Sequence, residues 1–350
     1  PNFHHRERLW GRGAGPGRVE ARATESEGAA GDKDEDALSG AQAPDKPRSP
    51  GPAPRPRSRA QKNRSRHTGT KQKPAPARKE RNPQNRVSFH PVPKNPKSIK
   101  EMTASLPTWP YSRHIAHRGG GRLAPENTLA AMRVGAEHGF TMFEYDVKLS
   151  RDNVLVLMHD DDVDRTSNGH GPAAAKTFSE LAQLDFGSWH SAAYAGEPLP
   201  TFAAVARYTV ANGIASNVEI KPCPGREAET GAAVALAARE LWKGAAVAPL
   251  LSSFAEEALQ AAKDAAPELP RALLVEKVPA DWLDRLVKYD CVALNINQKD
   301  ATRELIDAVH AAGYRIAAWT VNDPERARLL LDWGIDGIFT DELAAIRPAA

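Results

Sequence analysis

Ile115-Ala-His117-Arg118-Gly-Gly-Gly121, Phe143-Glu144-Tyr145-Asp146-Val147 and Val154-Leu-Val-Leu-Met-His159-Asp160 place two histidines and two alternating carboxylates within fewer than fifty residues. Glu144 and Asp146 stand two apart in a β-branched, aromatic run, so on a strand both point to one face. Two negative charges on one face of an apolar segment call for a cation; a solvated strand face would carry more polar neighbours. Only Ser150 to Asn153 separate the run ending at Leu149 from the one starting at Val154, too few for a parallel crossover. The two runs therefore form an antiparallel hairpin, and pairing Leu149 with Val154 sets His159 opposite Glu144. A histidine beside paired carboxylates can ligate a metal or carry protons.

Composition changes sharply near residue 105. Residues 1–112 carry 23 Lys and Arg against 11 Asp and Glu, and the remainder carries 24 against 33, so the net charge of +3 averages a basic segment and an acidic domain. Runs such as Pro52-Ala-Pro-Arg-Pro-Arg-Ser-Arg59 lack apolar periodicity, and the segment reads as a disordered Pro/Arg-rich tail. The chain begins at Pro1 while Met102 stands just ahead of the domain, so the tail is expected to reflect a start placed too early or a processed upstream stretch. No apolar run reaches eighteen residues and no signal pattern opens the chain, which favours a cytoplasmic location. Cys223 and Cys291 lack zinc spacing and are expected to be inert thiols in a reducing compartment.

Beyond the glycines a helix is expected over 127–138, then the hairpin, then a turn-rich excursion over 160–200 with a short helix at 178–184. Helices at 201–212, 226–242, 255–265, 280–288, 301–312 and 323–332 then alternate with strands at 217–221, 249–253, 271–275, 291–296, 315–320 and 336–340. With the strands at 115 and 143 this makes eight strand and helix units, the count of an α/β (β/α)₈ TIM barrel. An open doubly wound sheet would bring a glycine-rich phosphate turn whose spacing Gly119-Gly-Gly lacks. In a barrel, the C-terminal strand ends would gather Arg118, Glu144, Asp146, Glu219, Lys221, Ser253 and Trp319. Glu219-Ile-Lys221 repeats the two-residue alternation and adds a third carboxylate and a lysine to the rim.

His117-Arg-Gly with Pro125-Glu-Asn-Thr128, Glu144-x-Asp146, His159-Asp160, Glu219-x-Lys221 and Trp319 resembles the glycerophosphodiester phosphodiesterases, within the wider group of phospholipase-C-like phosphodiesterases, over about residues 113–345. The resemblance implies that Glu144, Asp146 and Glu219 hold a divalent metal, Mg²⁺ or Ca²⁺, and that His117 and His159 are general acid and base. It also implies a small insertion, over about residues 148–200, that helps enclose the glycerol end of the substrate. Gly187-Ser-Trp189-His-Ser-Ala-Ala-Tyr194 departs from that family's more aromatic pattern.

Elementary chemistry points the same way. Oxygen ligands suit Mg²⁺ or Ca²⁺, and a phosphodiester anion needs neutralisation, here by the metal, Arg118 and Lys221. The expected substrate is a small glycerophosphodiester, attacked by its own adjacent hydroxyl through a cyclic phosphate or by water, with Trp319 at the binding rim. His159, opposite Glu144, is expected to be the acid for the leaving alcohol and His117 the base. Competing readings are a lyase-type phospholipase on intact lipid, which lacks an amphipathic membrane segment, and nucleic-acid binding through the tail, which lacks interleaved aromatics.

Overall fold

The computed structural model describes Leu106 and residues 108–348. The expected tail, Met102 and the nucleic-acid reading built on them lie outside the described residues, apart from the stretch leading into the domain. There Tyr111 is buried and donates its hydroxyl to the Ala248 carbonyl at 2.9 Å.

Eight parallel strands close a barrel: β1 (His114–Ala116), β2 (Met142–Leu149), β4 (Ala215–Ile220), β5 (Leu250–Ser253), β6 (Arg271–Val275), β7 (Ala293–Asn297), β8 (Arg315–Trp319) and β9 (Gly337–Thr340). Closure comes from β1, which pairs with β9 through Ile115↔Phe339 and with β2 through Ala116↔Phe143. Ile115, Met142, Ala215, Leu250, Ala272, Ala293, Ala317 and Phe339, one from each strand, pack together as the apolar floor of the interior. Strand alternation then brings Glu144, Asn217, Ser252, Asn295 and Trp319 two residues further along, so the interior turns polar toward the C-terminal strand ends.

The hairpin partner β3 (Leu155–Leu157) runs antiparallel to β2, but its register differs by one residue from the expected one. Val147 pairs with Leu157 and Leu149 with Leu155, which sets His159 level with Tyr145 rather than Glu144. The cause lies in the turn. Ser150 N–H donates to the Val154 carbonyl, and Ser150 Oγ accepts from Val154 N–H, both at 3.0 Å, so Ser150 and Val154 close a three-residue loop with Asn153 at φ 63°.

Outside the barrel lie α1 (Leu129–Glu137), α3 (Phe202–Ala211), α4 (Glu227–Leu241), α5 (Glu256–Ala265), α6 (Trp282–Lys288), α7 (Arg303–Ala311) and α8 (Pro324–Asp332). Thr128, Thr201 and Thr302 cap α1, α3 and α7 by accepting a backbone N–H three residues on, each worth about 1 kcal/mol. Helix α1 starts later than the spacing suggests because Asn127 sits at φ 60°, outside helical backbone. Between β3 and α3 the chain forms two 3₁₀ turns and the four-residue α2 (Phe178–Leu181) around its own small core of Met158, Val163, Ala173, Leu181, Phe186 and Leu199. This segment is tied to the first turn of α1 and to the β1–α1 loop: Glu197 accepts from Ala130 N–H at 3.0 Å, and His190 and Tyr194 donate to the Arg122 and Leu123 carbonyls. Cys223 and Cys291 are buried and unpaired, and burial pushes both thiols up, Cys291 to about 12. No helix among the described residues is long and apolar enough to cross a membrane.

Helix α1 approaches the β1–α1 loop so closely that a Cβ on Gly135 would lie 2.2 Å from the Gly119 carbonyl oxygen. Gly135→Ala is expected to destabilise the protein by about 1–3 kcal/mol. It should also lower activity through the displaced loop, with denaturant unfolding and turnover as the two measurements.

Candidate active site

The floor of the site is set by β2 and β4. Glu144, Asp146 and Glu219 are buried, and one carboxylate oxygen from each lies within 4.8 Å of the other two. Glu144 Oε2 accepts from Arg118 N–H at 2.9 Å, and Asp146 Oδ2 from Asn127 Nδ2 at 2.8 Å. Glu144 Oε1 and Asp146 Oδ1 are buried without a hydrogen-bond partner. Buried acceptors left unpaired are costly, and two of them within a cluster of three carboxylates fit a hard divalent cation.

Charge is distributed unevenly over the three acids. Burial, with the charges of Asp146 and Glu219 beside it, drives Glu144 well above the usual carboxylate range. Burial and the Asp146 charge lift Glu219 to about 7, although Lys221 Nζ donates to its Oε1 at 3.0 Å. Asp146 goes the other way: burial raises it, but Arg118, His159 and Lys221 outweigh this and hold it at about 2. Asp146 is thus the permanent anion of the group.

Two imidazoles face these carboxylates, each held from behind by an aspartate. His117 Nδ1 donates to Asp341 Oδ1 at 2.6 Å, and Asp341 Oδ2 accepts from Asn322 Nδ2 at 2.8 Å. His159 Nδ1 donates to Asp160 Oδ1 at 2.7 Å. With Nδ1 spent on a carboxylate, Nε2 of each ring is the atom left for the cleft. His117 Nε2 lies 3.8 Å from Glu144 Oε2, so Glu144 neighbours His117 rather than His159, and the reason for assigning His159 as the acid falls away. His159 is shifted downward, by burial first and then Arg118 and Lys221, against the opposing pull of Asp146 and Asp160.

His117, Arg118, Glu144, His159, Glu219, Lys221 and Trp319 line one cleft together with Asn217, Phe254 and Thr320, and Asp146 lies directly behind. Arg118 adopts φ 51°, a conformation that turns its N–H to Glu144 and its side chain along Asp146. Arg118 Nε and Trp319 Nε1 are buried donors without a hydrogen-bond partner. Ser253 does not join them: it is fully buried and donates to the Ile220 carbonyl at 2.7 Å, while Phe254, next in sequence, forms an edge-on pair with Trp319 at 5.3 Å.

A sequence model of the glycerophosphoryl diester phosphodiesterase family matches residues 117–345. The chain belongs to this family. It is therefore an enzyme of the phosphoric diester hydrolase class. A Caldanaerobacter subterraneus glycerophosphodiester phosphodiesterase is 32% identical over 232 residues, covering 65% of this chain and 93% of the relative. Among solved structures, an Oleispira antarctica phosphodiesterase in complex with the product sn-glycerol-3-phosphate is 37% identical with a TM-score of 0.63, covering 66% of this chain and 94% of that one. A glycerophosphodiester phosphodiesterase from Agrobacterium tumefaciens is 28% identical with a TM-score of 0.56, covering 67% and 99%.

Within this phosphodiesterase site, sequence reasoning passed over Asp341, Asn322, Asn127, Glu126 and Arg165. Asp341 directly follows β9, a position that the barrel rule marks as rim and that could have been read from Thr340-Asp341. Asn127 lay inside a recognised motif, yet its task of donating to the Asp146 carboxylate and accepting from Asp146 N–H follows only from its non-helical backbone. Arg165 gave no local signal.

Because Glu219 is lifted from 4.5 to about 7, the metal-free folded protein keeps a proton that the unfolded chain has lost between those values. Glu219 and Glu144, both raised, therefore lower stability as pH rises through this window, while His114 and His159, shifted downward, oppose them there. The aspartates held low act below it. Melting in chelator at pH 5 and pH 8 isolates the carboxylate share: relative to wild type, Glu219→Gln should gain stability at pH 8 over pH 5.

Proposed function

We propose that the chain hydrolyses glycerophosphodiesters to sn-glycerol 3-phosphate and an alcohol, with Glu144, Asp146 and Glu219 holding Mg²⁺ or Ca²⁺. The observation that carries this reading is the convergence of unpaired carboxylate oxygens and two aspartate-backed imidazoles on one cleft. The Oleispira antarctica relative, solved with sn-glycerol-3-phosphate, supports the choice of product. A bound divalent cation supplies positive charge to a phosphoryl oxygen and favours ionisation of a nearby hydroxyl.

The side chains account for the rest of the chemistry. Arg118 and Lys221 neutralise the phosphodiester, while Trp319 Nε1, buried without a hydrogen-bond partner, offers a further donor. One imidazole accepts the proton of the attacking hydroxyl at Nε2, and the other delivers a proton to the departing alcohol oxygen. Where the nucleophile is the glycerol's own hydroxyl, a cyclic phosphate results and water opens it with the two imidazoles exchanging roles. Asp341 and Asp160 keep each Nε2 aimed into the cleft through both steps.

Turnover of glycerophosphocholine and glycerophosphoethanolamine, followed as released sn-glycerol 3-phosphate, tests the reaction. It should be abolished by chelator and restored by Mg²⁺ or Ca²⁺. Glu144→Gln and Asp146→Asn should remove activity and metal binding while the fold is retained; near-wild-type turnover at limiting metal would refute the ligand assignment. A cyclic glycerophosphate as the sole end product would instead favour a lyase.

His117→Ala and His159→Ala should each lose about 10²- to 10⁴-fold in kcat. A nitrophenyl leaving group needs no proton, so one variant alone should recover on such a substrate, and that variant lacks the acid. Equal failure of both would exclude separate acid and base roles.

A further inference from the structure

Arg165, in the segment between β3 and α3, has no part in the chemistry above, yet it reaches two of its members. Its Nε and Nη2 donate to Asp160 Oδ2 and Oδ1 at 2.6 and 3.0 Å, and its Nη1 and Nη2 donate to Glu126 Oε2 and Oε1 at 2.8 and 2.7 Å. Each carboxylate passes the contact on. Asp160 Oδ1 accepts from His159 Nδ1 at 2.7 Å, and Glu126 Oε1 accepts from Arg118 Nη1 at 2.7 Å. One planar guanidinium thus bridges the carboxylate behind an imidazole and the carboxylate behind the phosphate-binding arginine.

We propose that Arg165 is a positioning residue for catalysis, through which the inserted segment fixes His159 and Arg118 relative to one another. The inference rests on the proposed roles of those two residues. Removing Arg165 would leave Glu126 shared with Arg118 alone and would free the Asp160 carboxylate to rotate away from His159. The backbone at that point has independent support: the buried Lys148 Nζ donates to the Asp160 carbonyl and approaches Asp161 Oδ1 at 3.4 Å. The side chain of Arg165 is 45% exposed, so its ion pairs should add little to fold stability. Its weight is geometric. A lysine offers one charge point and cannot bridge two carboxylates in a fork, so it is not an equivalent replacement.

The test uses Arg165→Ala, Arg165→Lys, Asp160→Asn and the Arg165→Ala/Asp160→Asn double variant of the full chain with metal supplied. Loss of an orienting partner typically costs about 10–100-fold, and here the loss should lie mainly in kcat with melting temperature nearly unchanged. The double variant should be little worse than the poorer single, because both changes release the same imidazole. Wild-type kcat/KM in Arg165→Ala overturns the proposal, as does a double variant whose loss is the product of the two singles. A rise in KM with kcat unchanged also overturns it, since His159 would then keep its position without Arg165. Should Arg165→Ala unfold, a folded Arg165→Lys with reduced kcat supports the proposal and one with wild-type kcat refutes it. Activity retained by His159→Ala or Arg118→Ala would remove the underlying reading of the site instead, whatever Arg165 does.

Discussion

Three carboxylates buried within 4.8 Å of one another constrain everything around them. Each buried charge costs several kcal/mol unless it is paired, and mutual repulsion adds to that cost. The chain answers with Arg118 and Lys221 on either side of the group, and with the Asn127 amide and the Arg118 N–H in hydrogen bonds to Asp146 and Glu144. Arg118 and Asn127 occupy left-handed backbone to make those contacts, at φ 51° and 60°, a conformation uncommon for residues with a Cβ. The compensation stops short of Glu144 Oε1 and Asp146 Oδ1, which have no hydrogen-bond partner. Glu144 and Glu219 remain raised in consequence, and the same oxygens are those suited to a cation.

The barrel makes such a cluster tolerable. Its floor is filled by one small or apolar residue from each strand, so the acids stand on a close-packed support. Loops at the C-terminal ends then carry the parts that need directional freedom: His117 after β1, Asp341 after β9, and His159 and Asp160 after β3. Both imidazoles are governed in the same manner, an aspartate at Nδ1 that is itself held by a second partner, Asn322 for Asp341 and Arg165 for Asp160. Those second partners come from separate parts of the chain. The aim of His117 therefore depends on a segment remote in sequence, and that of His159 on its own neighbour and a residue five positions further on.

Much of this was legible in the chain itself. The eight alternations of strand and helix specify a closed parallel barrel, since period-two and period-3.6 patterns are local properties of the residues. Glu144, Asp146, Glu219 and Lys221 share the inward face because a strand alternates strictly, and family membership bore out the resemblance read from the spaced motifs. Register and long-range pairing were not legible. The Ser150–Val154 turn, closed by a backbone bond and by the serine hydroxyl, shifted the hairpin by one residue, which moved His159 away from the pairing that spacing suggested. Ser253 looked like a rim residue but turns to the Ile220 carbonyl, and Phe254 takes the place beside Trp319. Asp341 reaches His117 across 224 positions, and Arg165 reaches Glu126 across 39. Such contacts leave no periodicity to read, because they are decided by where the closed barrel brings its loop ends together. Sequence alone determined which strands form and which faces hold charge; tertiary closure decided which aspartate stands behind His117 and joined Arg165 to Glu126.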